Sequence, residues 1–489
     1  MTDRLEARVG AHVRGPQRHV ARTLLAAGLV VVAFAGYVAA DIADLVPGPL
    51  TRDARPSQGQ AAGPAQAWAP ARVAGDLETG RGVDAAAAQG VIDTFAATPG
   101  LGSDYSVLIA DADGTVAAER DQENLRQPAS TLKTLTAAAA AGSLDMGSTI
   151  PTEAYLSQSA GAGAKLTLKG QGDMLLGPGA SDPNHVNGRA GLGTLAQETA
   201  QVLKARSISK VSLAYDAGKF GSVRSSQGIE ANNPGGVYFT PTSAMAVDEG
   251  RQRSPQDRDA APDAAGVYVP HDQDPEGQAA RVFAQRLREQ GIDLEGEPSA
   301  GQAAQADQPL AQVQSAPLIQ IMAYMLRTSD NTLAELFGRL TAIKEGKENS
   351  PEGAVQAVGQ ALEREGIKLE GGAHMADCSG LSPGSQVSVT TLAAVQRLAC
   401  DGRHGRLAPL VEGLSVAGLV GTAANRGRGP ASGLARVKTG SLDQVTAMTG
   451  NVSRTRGGLL VFAVIVNNPS DMGAAVKAVD TLLSGLPQL

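Results

Sequence analysis

The sequence predicts an α+β fold: a five-stranded antiparallel sheet with helices on both faces, its strands drawn from both ends of the chain and separated by a mostly β insert. Three observations carry this. Tyr105-Ser-Val-Leu-Ile-Ala110 and Thr115-Val-Ala-Ala-Glu119 flank Asp-Ala-Asp-Gly and read as strand, turn and strand. The chain ends in three more apolar runs of strand length, Leu434 to Thr439, Val445 to Val452 and Leu459 to Val466. Between these ends, helix-period stretches alternate with a long region broken by Gly and Pro.

The N-terminus does not belong to that fold. Residues 1–22 carry Arg4, Arg8, Arg14, Arg18 and Arg22, and residues 23–40 are uncharged, which is the pattern of a cytoplasmic basic segment followed by an export segment. Val38-Ala39-Ala40 has the small residues of a cleavage site, yet the apolar run also reaches the lower limit for a spanning helix, so signal peptide and membrane anchor both remain open. Either places the body of the chain outside the cytoplasm. Residues 41–82 are rich in Pro, Ala, Gly and Gln without apolar period and read as a linker.

The remaining residues are too many for one core, the whole chain having 489. Ala85 to Ala97 reads as a helix ahead of the first hairpin. Residues 83–154 and 312–489 form one expected domain and residues 155–311 an inserted one, with strand-like Lys165 to Leu168 and Val211 to Tyr215, a polar stretch from Glu249 to Asp263, and helical Arg281 to Gln290. Helices then return at Leu318 to Arg327, Thr332 to Thr341, Ala354 to Glu365 and Val389 to Cys400, and Met472 to Leu483 closes the chain.

A net charge of −7, with no basic stripe beyond the N-terminus, argues against a nucleic-acid partner. The six histidines are scattered without ligand spacing, so neither metal nor cofactor is expected. Cys378 and Cys400, the only cysteines, lie in the exported part, where a disulfide between them is expected.

Chemistry concentrates at Pro128-Ala-Ser-Thr-Leu-Lys133. With Thr131 to Ala141 helical, Ser130 and Lys133 share one face of the first turn. A serine hydroxyl needs a nearby base and favours a helix N-terminus when it acts as a nucleophile, and this tetrapeptide supplies both. Ser329-Asp330-Asn331 follows one helical stretch, and Lys438-Thr439-Gly440 lies in a strand-like run. S-x-x-K, S-D-N and K-T-G in that order are the active-site set of penicillin-binding proteins and class A β-lactamases.

With the long insert after S-x-x-K, these motifs make the chain resemble the D-alanyl-D-alanine carboxypeptidase/endopeptidase family of low-molecular-mass penicillin-binding proteins, the class C group of peptidase S13 type. The resemblance covers Gly82 to the C-terminus and includes Gly170-Gln-Gly-Asp173, Tyr238-Phe-Thr-Pro241 with Ser243-Ala244, Asp377-x-Ser-Gly-Leu-Ser382, and Val416-Ala-Gly418 with Gly421-Thr422. It implies the serine β-lactamase/penicillin-binding transpeptidase-like fold, and hydrolysis of peptidoglycan stem peptides through an acyl-enzyme that β-lactams block covalently. Ser130 is then the nucleophile and Lys133 the base, its pKa depressed by burial and by Lys438. Ser329 shuttles a proton and Asn331 orients the substrate amide. Lys438 and Thr439 meet the terminal carboxylate, Gly440 admits substrate to the strand edge, Ser441 joins Ser130 in an oxyanion hole, and Asp173 contacts substrate from the insert. The family often has Arg directly after the Gly-Leu-Ser run, where this chain has Pro383. A class A β-lactamase would share the three motifs, but it lacks the insert, and this chain has no good match after Asn331 for the glutamate that its deacylation needs. A wall-binding protein that only retains the fold would have no reason to keep Ser130, Lys133, Ser329, Asn331 and Lys438 together.

Overall fold

A computed structural model describes residues 33–41, 81–158, 163–254, 261–264, 266–303, 308–369 and 371–489. Residues 33–41 are helical and belong to a unit, Met1–Gly75, separate from Asp76–Leu489. The basic segment, most of the apolar run and nearly all of the linker fall outside the described residues. Among the described residues no helix is long and apolar enough to cross a membrane.

The larger unit is organised by two sheets. The first contains β1 (Tyr105–Asp111), β2 (Val116–Arg120), β11 (Ser415–Val416), β12 (Ala435–Leu442), β13 (Val445–Ser453) and β14 (Leu459–Asn467), in the order β11-β12-β13-β14-β1-β2. Every neighbouring pair is antiparallel. The five expected strands are all present, and β11 adds a sixth at the edge. Two residues are too few for an alternation signal, so this strand was not visible in the sequence.

Strand β14 is apolar from Leu459 to Val466 because both faces of the sheet are covered, a condition that erases the usual alternation of apolar and polar residues. Leu460, Phe462, Val464 and Val466 join a core with α1 (Ala85–Ala96) and a helix, Met472–Gly485, at the C-terminus. Val461, Ala463 and Ile465 face the opposite core, built on the central helices. A slip of one residue would exchange the two sets and drive Phe462 into the space that Ala463 leaves for α8 (Val389–Cys400), which packs on β14.

Helix α2 (Lys133–Ser143) runs through the middle of the second core, buried continuously from Lys133 to Ala141. Its alanines favour helix and leave room for α6 (Asn331–Lys344) and α7 (Pro351–Arg364) to approach closely. This burial is what takes the first residue of α2, Lys133, away from water.

The second sheet contains β3 (Pro151–Gln158), β4 (Ala164–Gly170), β6 (Lys210–Asp216), β8 (Asp293–Leu294) and β10 (Ala311–Gln314), in the order β10-β3-β4-β6-β8, with β9 (Ser299–Ala300) also on β6. Because β10 pairs with β3 at Ala311↔Ala154 through Gln314↔Pro151, this sheet begins and ends slightly outside residues 155–311. Helices α3 (Leu192–Ala205) and α4 (Pro275–Glu289) cover it through Leu195, Leu203, Phe283 and Leu287. A short parallel pair, β5 (Asp173–Leu176) and β7 (Met245–Val247), leads from this layer toward the catalytic motifs.

The expected disulfide is absent: Cys378 and Cys400 are both free. Cys378 packs so closely on Gly338 of α6 that a Cβ there would lie 2.3 Å from its Sγ. Cys400 ends α8 and turns its Sγ to the Gln396 carbonyl at 2.8 Å. Burial raises both thiols, Cys400 to about 12, so neither is a ready thiolate.

Candidate active site

The three motifs converge where α2, α6 and β12 meet. Ser130 sits in a 3-10 turn, Ala129–Leu132, that precedes α2 rather than in regular α-helix. The turn is entered through Ala129 at φ 48, a left-handed conformation that costs a non-glycine residue about 1–2 kcal/mol. Thr131 Oγ1 bonds the Pro128 carbonyl at 2.7 Å and braces the turn. Gly440 lies directly against it. A Cβ there would come within 2.8 Å of the Pro128 oxygen and 3.2 Å of Ser130 N, so only glycine lets β12 approach the nucleophile this closely.

Lys133 is fully buried, and its Nζ has three partners: Ser130 Oγ at 2.9 Å, Asn331 Oδ1 at 2.7 Å and the Ser379 carbonyl at 2.7 Å. The last two can only accept. A neutral amine therefore gives its two hydrogens to them and keeps its lone pair for the Ser130 hydroxyl. Asn331 is held in the required orientation because its Nδ2 donates to the Tyr238 carbonyl at 2.8 Å. Burial lowers the Lys133 pKa to about 8, against the opposing charges of Asp377, Asp330 and Glu335.

The Ser379 carbonyl is placed by a buried carboxylate that sequence reading left without a role. Asp377 accepts from the backbone N–H groups of Ser379, Gly380, Leu381 and Ser382 and from Ser379 Oγ, the closest at 2.6 Å to Gly380 N. Gly380, at φ 80, abuts the nucleophile turn so tightly that a Cβ would lie 2.0 Å from the Ala129 oxygen. Glu335, one turn after Asn331, accepts from Cys378 N at 2.8 Å and from Ser226 Oγ at 2.9 Å. Burial raises its pKa to about 8, with Asp377 adding to the rise. An Asp followed by small residues is a turn signal, the one local feature from which this loop could have been read. A carbonyl acceptor such as that of Tyr238 or Ser379 has no residue signature at all.

On the opposite side, Lys438 Nζ bonds Ser329 Oγ at 2.8 Å and the Thr439 carbonyl at 2.7 Å, and Thr439 Oγ1 bonds Thr422 Oγ1 at 2.7 Å. Lys438 is also fully buried, and its amine lies well below the ordinary lysine range, first through burial and then through the charge of Lys133. The expected direction of influence is thus reversed, since burial accounts for the depressed Lys133 and the repulsion falls on Lys438. Ser329 closes α5 (Leu318–Thr328) in a left-handed conformation, φ 62, and Asp330 caps α6 by accepting from Leu333 N at 2.9 Å. Strand β11 pairs only with Arg436 and Val437, so β12 from Thr439 onward has no strand on that side among the described residues, and Ser441 is exposed there.

Ser130, Lys133, Ser329, Asn331, Lys438, Thr439, Gly440 and Ser441 are therefore brought together. Asp173 is not joined to them by a hydrogen bond among the described residues. It begins β5 almost completely buried, with Oδ1 accepting from Leu175 N at 2.9 Å, and burial raises its pKa to about 7.

Comparison with known proteins identifies the family. Residues 88–271 and 259–486 match the D-Ala-D-Ala carboxypeptidase 3 (S13) family. The chain is 31% identical over 399 residues to carboxypeptidase DacB of Mycolicibacterium smegmatis, covering 80% of this chain and 81% of that one. It is 32% identical over 368 residues to a carboxypeptidase of Mycobacterium tuberculosis, covering 73% and 74%. Penicillin binding protein 4 (dacB) from Haemophilus influenzae shares the fold, with a TM-score of 0.66 at 23% identity over 81% of this chain and 98% of that one. The chain belongs to the D-Ala-D-Ala carboxypeptidase 3 (S13) family of serine hydrolases.

Proposed function

We propose that in this serine-type D-Ala-D-Ala carboxypeptidase/endopeptidase Ser130 attacks the carbonyl of the penultimate D-alanine of a peptidoglycan stem peptide. The observation that carries the assignment is the Lys133 amine 2.9 Å from Ser130 Oγ, with its remaining hydrogens committed to Asn331 and Ser379. Lys133 takes the Ser130 proton as the Oγ–C bond forms. The oxyanion faces the backbone N–H groups of Ser130 and Ser441, each such donor supplying about 3 kcal/mol of transition-state stabilisation. Ser329, bonded to Lys438, passes a proton to the leaving amine as the C–N bond breaks. Water then releases the acyl group from Ser130.

Lys438, Thr439 and Thr422 receive the terminal carboxylate, and the unpaired edge of β12 beyond Gly440 accepts the peptide as an added strand. A carboxylate beside Lys438 favours its ammonium form, and charge on Lys438 disfavours charge on Lys133, so substrate keeps the base free. A β-lactam presents the same carboxylate beside a strained amide, and its ring opens without a departing group, leaving Ser130 acylated. Asp173 lies outside the hydrogen-bonded cluster and is almost completely buried, so its proposed contribution is to hold the start of β5 through Leu175 N rather than to touch substrate.

Defined muropeptides test this reading. The purified protein is expected to release D-alanine from pentapeptide monomers and to cleave cross-linked dimers, with products identified by mass. Recovery of both substrates intact would contradict it. The enzyme works outside the cytoplasm, where its substrate lies, and we read residues 23–40 as the export segment. N-terminal sequencing of the mature protein separates its two forms: a chain beginning at Asp41 means a cleaved signal, and one retaining Arg4 to Arg22 means an anchor.

A further inference from the structure

We infer that Arg251, supplied by the insert, is a positioning residue for the Ser329-Asp330-Asn331 motif and acts through Asp330. The inference rests on the roles proposed for Ser329 and Asn331. Arg251 follows β7 and reaches across to Asp330, with Nη2 2.9 Å from Oδ2. The other oxygen of Asp330 caps α6, and Asn331 is the first residue of that helix. One carboxylate thus links the insert to the side chain that orients the Lys133 amine.

Three carboxylates face Arg251, and Asp330 is the one that its Nη2 addresses. Asp248 also lies near Arg251 Nη1, at 3.3 Å, but it is gripped at both oxygens by Arg253, at 2.5 and 3.1 Å. Glu249 contacts Nη1 at 3.0 Å, and burial raises its carboxyl well above the ordinary range against the charge of Arg251. Asp330 behaves oppositely. Burial pushes it up, but Arg251 and its hydrogen bonds hold it below the ordinary range. Arg251 is therefore the cation paired with Asp330.

The backbone is bent to deliver this contact. Asp248, Glu249 and Gly250 are three successive left-handed residues, at φ 49, 54 and 74. Glutamate is not suited to that region, and such strain persists only where surrounding structure imposes it. The turn is pinned by Asp272 N donating to Gly250 O at 2.8 Å and Arg251 N donating to Asp248 O at 2.9 Å. The motif's backbone is held from the α5 side by Asp330 N donating to Met325 O at 2.9 Å, and Arg251 adds the tie from the insert. Without Arg251, a buried carboxylate loses its partner, the first turn of α6 relaxes, and Asn331 turns away from Lys133 and the Tyr238 carbonyl.

The test is a double-mutant cycle on the full chain with Arg251→Met, Asp330→Asn and both together, read by saturation kinetics with a fluorescent penicillin. Asparagine caps helices as well as aspartate, so Asp330→Asn keeps α6 in place. Arg251→Met alone is expected to slow the acylation step about tenfold with reversible binding within about twofold, since Lys438 and Thr439 are untouched. In the Asp330→Asn background the same change is expected to cost less than about twofold, because the partner is already gone. Arg251→Lys should restore part of the rate. Acylation of Arg251→Met within twofold of wild type, or an equal loss in both backgrounds, overturns the inference. Should Arg251→Met fail to fold, the comparison of Asp330→Asn with the double variant decides, a tenfold gap overturning it. Failure of the proposed function would look different, with Ser130 unacylated in the wild type itself.

Discussion

Replacing Ser130 with alanine is expected to abolish both penicillin labelling and release of D-alanine while leaving the fold intact. The hydroxyl is the atom to which the acyl group is transferred, and no other hydroxyl lies within hydrogen-bond reach of Lys133 Nζ among the described residues. The structural cost is small. Ser130 gives up one hydrogen bond, worth about 1 kcal/mol, while Lys133 retains Asn331 and Ser379 as partners. An unchanged thermal midpoint together with undetectable activity is the expected pair of results. Activity within an order of magnitude of wild type would remove Ser130 from the mechanism.

Lys133→Met has the second largest expected effect, a loss of about 10²–10⁴-fold in acylation, the range that general-base catalysis supplies. Methionine fills much the same buried volume and removes the amine. Its pH signature separates a base from a structural residue. With the Lys133 pKa near 8, only the deprotonated amine can take the serine proton, so kcat/KM in the wild type should rise as pH increases through about 8 and level above it. That limb should disappear from the residual activity of Lys133→Met. A profile with its acidic limb unchanged in the variant would assign the titration to another group.

Much of this site was legible because its chemistry is written in triplets. Ser130 and Lys133 are three residues apart, Ser329 and Asn331 two, and Lys438, Thr439 and Gly440 are contiguous, so local spacing alone presents their side chains together. What supports them was not legible. Asp377 and Glu335 act on Lys133 through a loop carbonyl, and Arg251 lies in a polar stretch that reads as loop until the fold brings it to Asp330. The sheet was legible from its long strands, since β13 and β14 run nine residues each and β14 is apolar from Leu459 to Val466, whereas β11 has two residues. The disulfide expectation failed because an even cysteine count says nothing about distance: Cys378 faces α6 and Cys400 lies at the end of α8. The helix expected from Thr131 begins instead at Lys133, after a 3-10 turn that Ala129 enters left-handed, pressed between Gly380 and Gly440.

The central claim is that acyl transfer passes through Ser130, and peptide mapping of the penicillin-treated protein by mass spectrometry tests it most directly. A mass increase equal to the intact β-lactam on the peptide containing Ser130, and its absence from Ser130→Ala, is the predicted result. An adduct on a different residue, Ser329 included, or an active enzyme that penicillin never modifies, would contradict it.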